Sequence, residues 1–297
     1  MKSIIIPSSV KTIGDSFVAY CEKLDDIIVD SNNPYYSSLD GVLYTKDYTS
    51  LLSCPMSKSN VSIPNSVTTI GNNAFNGCGN LAEIILPDNL ETISDGAFQN
   101  CDSISNIIIP DKVTTIGNYA FNSCRKLEEI IVPDNVTIMG DHSFQYCVSL
   151  KSVKLSKNIK EIGTYTFHNC YNLTEFIIPE GVVTIGREAF AACYKLKNIT
   201  IPNSLTTIGD TAFRKCLKLE SITFPKNISY LGSMLFNGCE SLSSIYCKAT
   251  VPPYIDMFTF SFMKSEPKIY VPKQSLSAYK TAYNWDRYTN MLEGYDF

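Results

Sequence analysis

The sequence predicts a β-rich α/β solenoid of about ten 23-residue coils. It would carry a parallel sheet along one face, short helical turns opposite, and a C-terminal cap. Three observations predict it. Cysteine recurs every 23 residues, at Cys78, Cys101, Cys124, Cys147, Cys170, Cys193, Cys216 and Cys239. Phenylalanine keeps the same step at Phe75, Phe98, Phe121, Phe144, Phe167, Phe190, Phe213 and Phe236. Around both columns runs one skeleton, L-x-x-I-x-I-P-x-x-V-x-x-I-G-x-x-A-F-x-x-C-x-x, as in LTEFIIPEGVVTIGREAFAACYK at residues 173–195. Self-similarity at a fixed period of this length marks a repeat architecture.

Each element of one coil follows from its residues. Leu173, Phe176 and Ile178 alternate as the inward set of a strand. Pro179 has no N–H and suits the end of a hydrogen-bonded ladder. Val182 and Ile185 form a second short extended segment. Gly186 permits a sharp corner, including positive φ. Ala189, Phe190 and Cys193 stand three and four apart, the spacing of a helical turn with one face inward. No coil alone has apolar surface enough to fold, so stacked coils share one core, with neighbouring strands about 4.8 Å apart.

The ends depart from the period. Cys21 and Cys78 are 57 residues apart instead of 46, so 11 residues are inserted. Residues 40–55 read as two short strands about a polar turn, a hairpin insertion at about residues 30–57 that projects from the second coil. After Cys239 the period breaks, and Val251-Pro252-Pro253 is expected to end the regular stack. Residues 268–272 read as a last strand and residues 275–285 as an amphipathic helix anchored by Trp285. The expected division is a solenoid over residues 1–246 and a cap of the same domain over residues 247–297. The chain starts inside a coil at Met1, so further sequence upstream is expected.

Composition and motifs narrow the function. The net charge is −4, charged residues are 18%, and no basic cluster occurs, which argues against nucleic acid as partner. No apolar run approaches the roughly 20 residues of a membrane span, and the apolar start is too short for a signal peptide. His142 and His168 fall at different offsets in adjacent coils and read as exposed loop residues without a nucleophile to serve. The cysteine column forms a line with no C-x-x-C, so it reads as buried small hydrophobes, neither metal ligands nor disulfides. Glu83, Glu129 and Glu175 recur two coils apart, roughly 10 Å, and read as a solvated sheet face. Neither metal nor cofactor is expected, and no enzyme.

One column is left over from the core. The residue between the inward pair of each strand faces out: Ile85, Ile108, Ile131, Lys154 and Ile177, with Ile5 and Ile28 before them. Glu83, Glu129 and Glu175 border it. An apolar strip with an acidic, polar border is what a recognition surface looks like. Isoleucine also favours pleated strands whatever its role, and both readings stand at this point.

The I-P-x-x-V-x-x-I-G-x-x-A-F-x-x-C skeleton resembles the leucine-rich repeat of BspA-like, or treponemal-type, bacterial surface proteins. The likeness covers nearly the whole chain. Ser94 departs from it at the corner glycine, Ser156 at the proline and Met139 at the isoleucine. The resemblance implies a leucine-rich-repeat solenoid, a cell-surface or secreted location, and non-catalytic adhesion. Its partner would be a protein such as host extracellular matrix or another surface protein. Two further readings are a structural spacer and, from the glutamates with Tyr35, Tyr36, Tyr44 and Tyr48, a glycan binder or carbohydrate-active enzyme. Self-association through the first coil's open strand edge is also expected.

Overall fold

The computed structural model describes residues 2–19 and 21–297; Met1, where the chain is expected to start inside a coil, and Tyr20 lie outside them. The chain resolves into two units, Met1–Leu150 and Lys151–Phe297. Each is a stack of coils, and the phenylalanine and cysteine columns form its core: all sixteen side chains are fully buried. In the first unit the rings of Phe75, Phe98, Phe121 and Phe144 stack at 5.0 to 5.4 Å, nearly parallel. In the second, Phe167, Phe190, Phe213 and Phe236 stack at 5.5 to 5.8 Å. A 23-residue coil returns the chain to the same place one coil further on, so identical side chains meet face to face.

The continuous ladder of the first unit lies on the second extended segment. Thr69–Ile70, Thr92–Ile93, Thr115–Ile116 and Ile138–Met139 pair in parallel, register by register. The column expected to carry the sheet behaves differently. Ser3–Ile6 pairs with Asp26–Val29. Residues 61–63, 84–86 and 107–109 make no backbone hydrogen bond to a neighbouring coil. Their side chains still alternate, with Ile84, Leu86, Ile107 and Ile109 buried.

The expected helical turns are not helical. Along residues 96–101 the N–H groups alternate between two destinations. Gly96, Phe98 and Asn100 donate to Asn118, Ala120 and Asn122 of the next coil at 2.8 Å. Ala97, Gln99 and Cys101 donate three residues back within the coil at 2.9 to 3.3 Å. Turning the chain this way puts the residues two before and two after each phenylalanine in the left-handed region, as at Tyr119 and Ser123 with φ of 56° and 61°. A helix would have taken all these donors for itself. The corner glycines have another reason than the one expected. Gly186 does not adopt positive φ; a Cβ there would lie 2.7 Å from the backbone of Gly163 and Thr164 in the coil before. The column is glycine because two backbones pass closely.

The insertion does not project. Tyr36–Leu39, Val42–Thr45 and Ser50–Ser53 form an antiparallel meander, with Asp40-Gly41 turning at φ of 50° and 76°. Ser50–Ser53 then pairs in parallel with Thr69–Ile70. Val42, Leu43, Tyr44 and Leu51 are buried, so the insertion joins the ladder, which residues 36–53 extend with three strands.

In the second unit the second extended segment pairs throughout and the first pairs in part. Glu161–Ile162, Thr184–Ile185, Thr207–Ile208, Tyr230–Leu231 and Tyr254–Ile255 make one ladder. Glu175–Ile177 pairs with Asn198–Thr200, and Ser221–Phe224, Ser244–Cys247, Lys268–Pro272 and Leu292–Tyr295 make another sheet. The stack therefore runs through Val251-Pro252-Pro253. Ser244 pairs with Lys268, a step of 24 that hides the period from a fixed-interval reading. Phe260 continues the ring stack on Phe236 at 6.5 Å. The expected helix shortens to Leu276–Thr281, and Asn284 in the left-handed region at φ 63° follows it. Trp285 is buried and donates its indole N–H to the Pro253 carbonyl at 2.8 Å.

Candidate protein-binding face

Strand alternation turns Ile85, Ile108 and Ile131 outward between buried neighbours. They are 86%, 77% and 62% exposed, among the most open large apolar residues of the chain. In the first unit they form an apolar column bordered by the exposed carboxylates of Glu83 and Glu129. The second unit carries exposed Lys154 and Ile177 at the same repeat position, with exposed Glu175 beside Ile177, and turns polar at Thr200 and Thr223.

Two grooves flank the first unit's column. One, of about 690 Å³, lies between residues 60–65 and 83–88 and is lined by Val61, Ile63, Ile85 and the carboxylates of Asp40, Glu83 and Asp88. The other, of about 360 Å³, is lined by Ile108, Ile131, Asp111 and Glu129. Sequence reasoning missed both grooves. The one hint was the Asp40-Gly41 turn, whose aspartate reaches the groove only because the insertion folds into the stack.

The histidines are not the exposed loop residues expected. His142 stacks on Tyr119 at 4.3 Å and meets the Gln145 side chain at 2.9 Å. His168 is half-buried and lies 3.6 Å from the Glu188 carboxylate. Glu188 is itself buried, accepts from the Tyr165 hydroxyl at 3.1 Å, and pairs with Arg214 at 3.0 Å. Burial, with the Glu188 acceptor beside it, pushes the Tyr165 phenol above its ordinary value. These side chains link successive coils. Among the tyrosines considered for sugar stacking, Tyr44 is fully buried and presents no face to a ligand.

The cysteine column makes weak hydrogen bonds as well as contacts. Cys101, Cys124 and Cys147 donate to the carbonyls of Phe75, Phe98 and Phe121 at 3.1 to 3.2 Å. Cys193, Cys216 and Cys239 repeat the pattern at 3.1 to 3.3 Å. Burial pushes the Cys147 and Cys239 thiols up to about 12. Among the described residues no group of three His, Cys, Asp or Glu side chains could hold a metal ion, and no helix is long and apolar enough to cross a membrane.

Comparison with known proteins places this geometry. No match is found among curated proteins. A leucine-rich repeat protein from Eubacterium ventriosum ATCC 27560 is 32% identical, with a TM-score of 0.59, over 80% of this chain. The match spans 59% of that protein's length. A leucine-rich repeat protein from Bacteroides ovatus ATCC 8483 shares the fold at 23% identity and TM-score 0.59, covering 99% of this chain and 74% of its own. Residues 1–39, 49–174 and 160–288 match the BspA type leucine rich repeat region in six copies. The chain belongs to the BspA-type leucine-rich-repeat family.

Proposed function

We propose that this chain is a non-catalytic protein-interaction module of a bacterial surface protein, acting in adhesion at the cell surface or after secretion. Its ligand is a protein, host extracellular matrix or another surface protein. The observation that carries this reading is the exposed isoleucine column of the first unit, Ile85, Ile108 and Ile131, with Glu83 and Glu129 along its border. Aligned exposed apolar side chains with a polar rim have the anatomy of an interface core. The repeat holds them in line before a partner arrives, which lowers the ordering cost of binding.

The test is a binding screen of the chain against extracellular-matrix proteins and glycans, with Ile108→Lys/Ile131→Lys measured beside it. A protein ligand whose affinity falls at least tenfold in the variant, with unchanged thermal melting, is the expected result. Binding that ignores the substitution removes the column from the interface. Silence of both proteins favours a spacer role, and a glycan hit replaces the protein ligand.

A further inference from the structure

Resting on that reading, we propose how the partner is held: the groove between residues 60–65 and 83–88 takes an extended, basic segment of the ligand protein, pairing with it through backbone hydrogen bonds.

The first support is a stretch of backbone without coil-to-coil bonds. A backbone N–H or C=O group bonded to no neighbouring coil is available to a partner's backbone, and open strand edges are where an added strand pairs. In the second unit Glu175–Ile177 pairs with Asn198–Thr200. At the equivalent positions of the first unit, residues 61–63 and 84–86 bond to neither neighbour. The repeat is the same, yet the stretches that pair coil to coil in one place line a groove without such bonds in the other. The second support is space. The groove, about 690 Å³, is open to an approaching segment.

Side chains specify the occupant. Ile85, Val61 and Ile63 give apolar contact for alternate residues of an extended segment. Asp40, Glu83 and Asp88 line the same groove, all exposed and none in an ion pair. No lysine or arginine lines it. Exposed carboxylates add little affinity singly, but they steer and select a partner of opposite charge. An anionic ligand is repelled, so a strand alternating apolar and basic residues is the chemistry that fits.

The probe is an acetylated, amidated peptide, Lys-Val-Lys-Val-Lys, titrated into the whole chain by isothermal titration calorimetry at physiological salt. Two counterparts accompany it, one with glutamate for lysine and one N-methylated at both valines. The lysine peptide is expected to bind, and each counterpart at least tenfold more weakly. Glu83→Lys/Asp88→Lys, checked for native melting, is expected to lose the lysine peptide and accept the glutamate one. No binding of the lysine peptide, or equal binding of its N-methylated form, overturns the proposal. A protein ligand lost in Ile108→Lys/Ile131→Lys but indifferent to Glu83→Lys/Asp88→Lys overturns the groove and leaves the adhesion reading standing. Peptide binding sensitive to N-methylation, in a chain that captures no protein, supports the groove and counts against the isoleucine column.

Discussion

Gly117 sits where a methyl group has no room. A Cβ there would lie 2.5 Å from the Asp95 amide nitrogen and 2.6 Å from the Ser94 carbonyl carbon. Both belong to the backbone of the preceding coil, which cannot yield without opening the ladder beside it. Gly117→Ala is therefore expected to cost about 1–3 kcal/mol, as overpacking does. Gly14 occupies the corresponding corner of the first coil, and a Cβ there would meet nothing within 4 Å. Gly14→Ala is expected to add about 0.4–1 kcal/mol by restricting the unfolded chain. Urea titrations of the two variants check the pair. Equal effects would mean that close approach is not what keeps the column glycine.

At the scale of elements, the cysteine column couples the coils to pH. Burial raises the Cys147 and Cys239 thiols from an ordinary 9.0 to about 12. Between those values the unfolded chain ionises its thiols while the folded chain keeps them neutral. The folded state then holds more protons, so stability is fully present below pH 9 and falls as pH rises toward 12. Denaturant midpoints at pH 8, 9, 10 and 10.5 should fall more steeply for the native sequence than for Cys147→Ala/Cys239→Ala. Parallel slopes would show that these thiols do not carry the effect. The column itself was plain in the sequence, because a buried position facing its own image at every coil admits few residue types, and the period exposes them. The turn around it was not. Ala189, Phe190 and Cys193 have helical spacing, but Glu188 and Ala192 take left-handed backbone at φ 51° and 57°. Neither residue type announces such a conformation; bonds to the next coil impose it. The isoleucine column was likewise readable from alternation. The grooves beside it depend on which coils fail to pair, and no residue in Val61-Ser62-Ile63 distinguishes it from a paired strand.

Across the whole molecule the same repeat position therefore meets two fates, and amide exchange separates them. Leu86, Ile109 and Ile178 are equivalent by the 23-residue step, and all three side chains are buried. Ile178 donates its amide to the Thr200 carbonyl at 3.1 Å, whereas Leu86 and Ile109 donate to no backbone acceptor. Solenoid stability is summed from neighbour to neighbour, so each coil needs only some of its seams closed. In the first unit the Thr-Ile ladder, the turn ladder and the ring stack close three, which leaves residues 61–63, 84–86 and 107–109 open without unfolding the coils that carry them. Exchange of a bonded amide needs a local opening, and exchange of an unbonded one does not. Under native conditions Leu86 and Ile109 should thus exchange orders of magnitude faster than Ile178, and as fast as their solvent access allows. Phe98 and Gly117, whose amides bond to Ala120 and Ile93 at 2.8 Å, should be as slow as Ile178. Leu86 protected to the level of Ile178 in the free chain would mean that the seam is closed in solution, and the groove would have no backbone groups left to offer. Leu86 fast in the free chain and slowed by the lysine peptide would place the added strand at that seam.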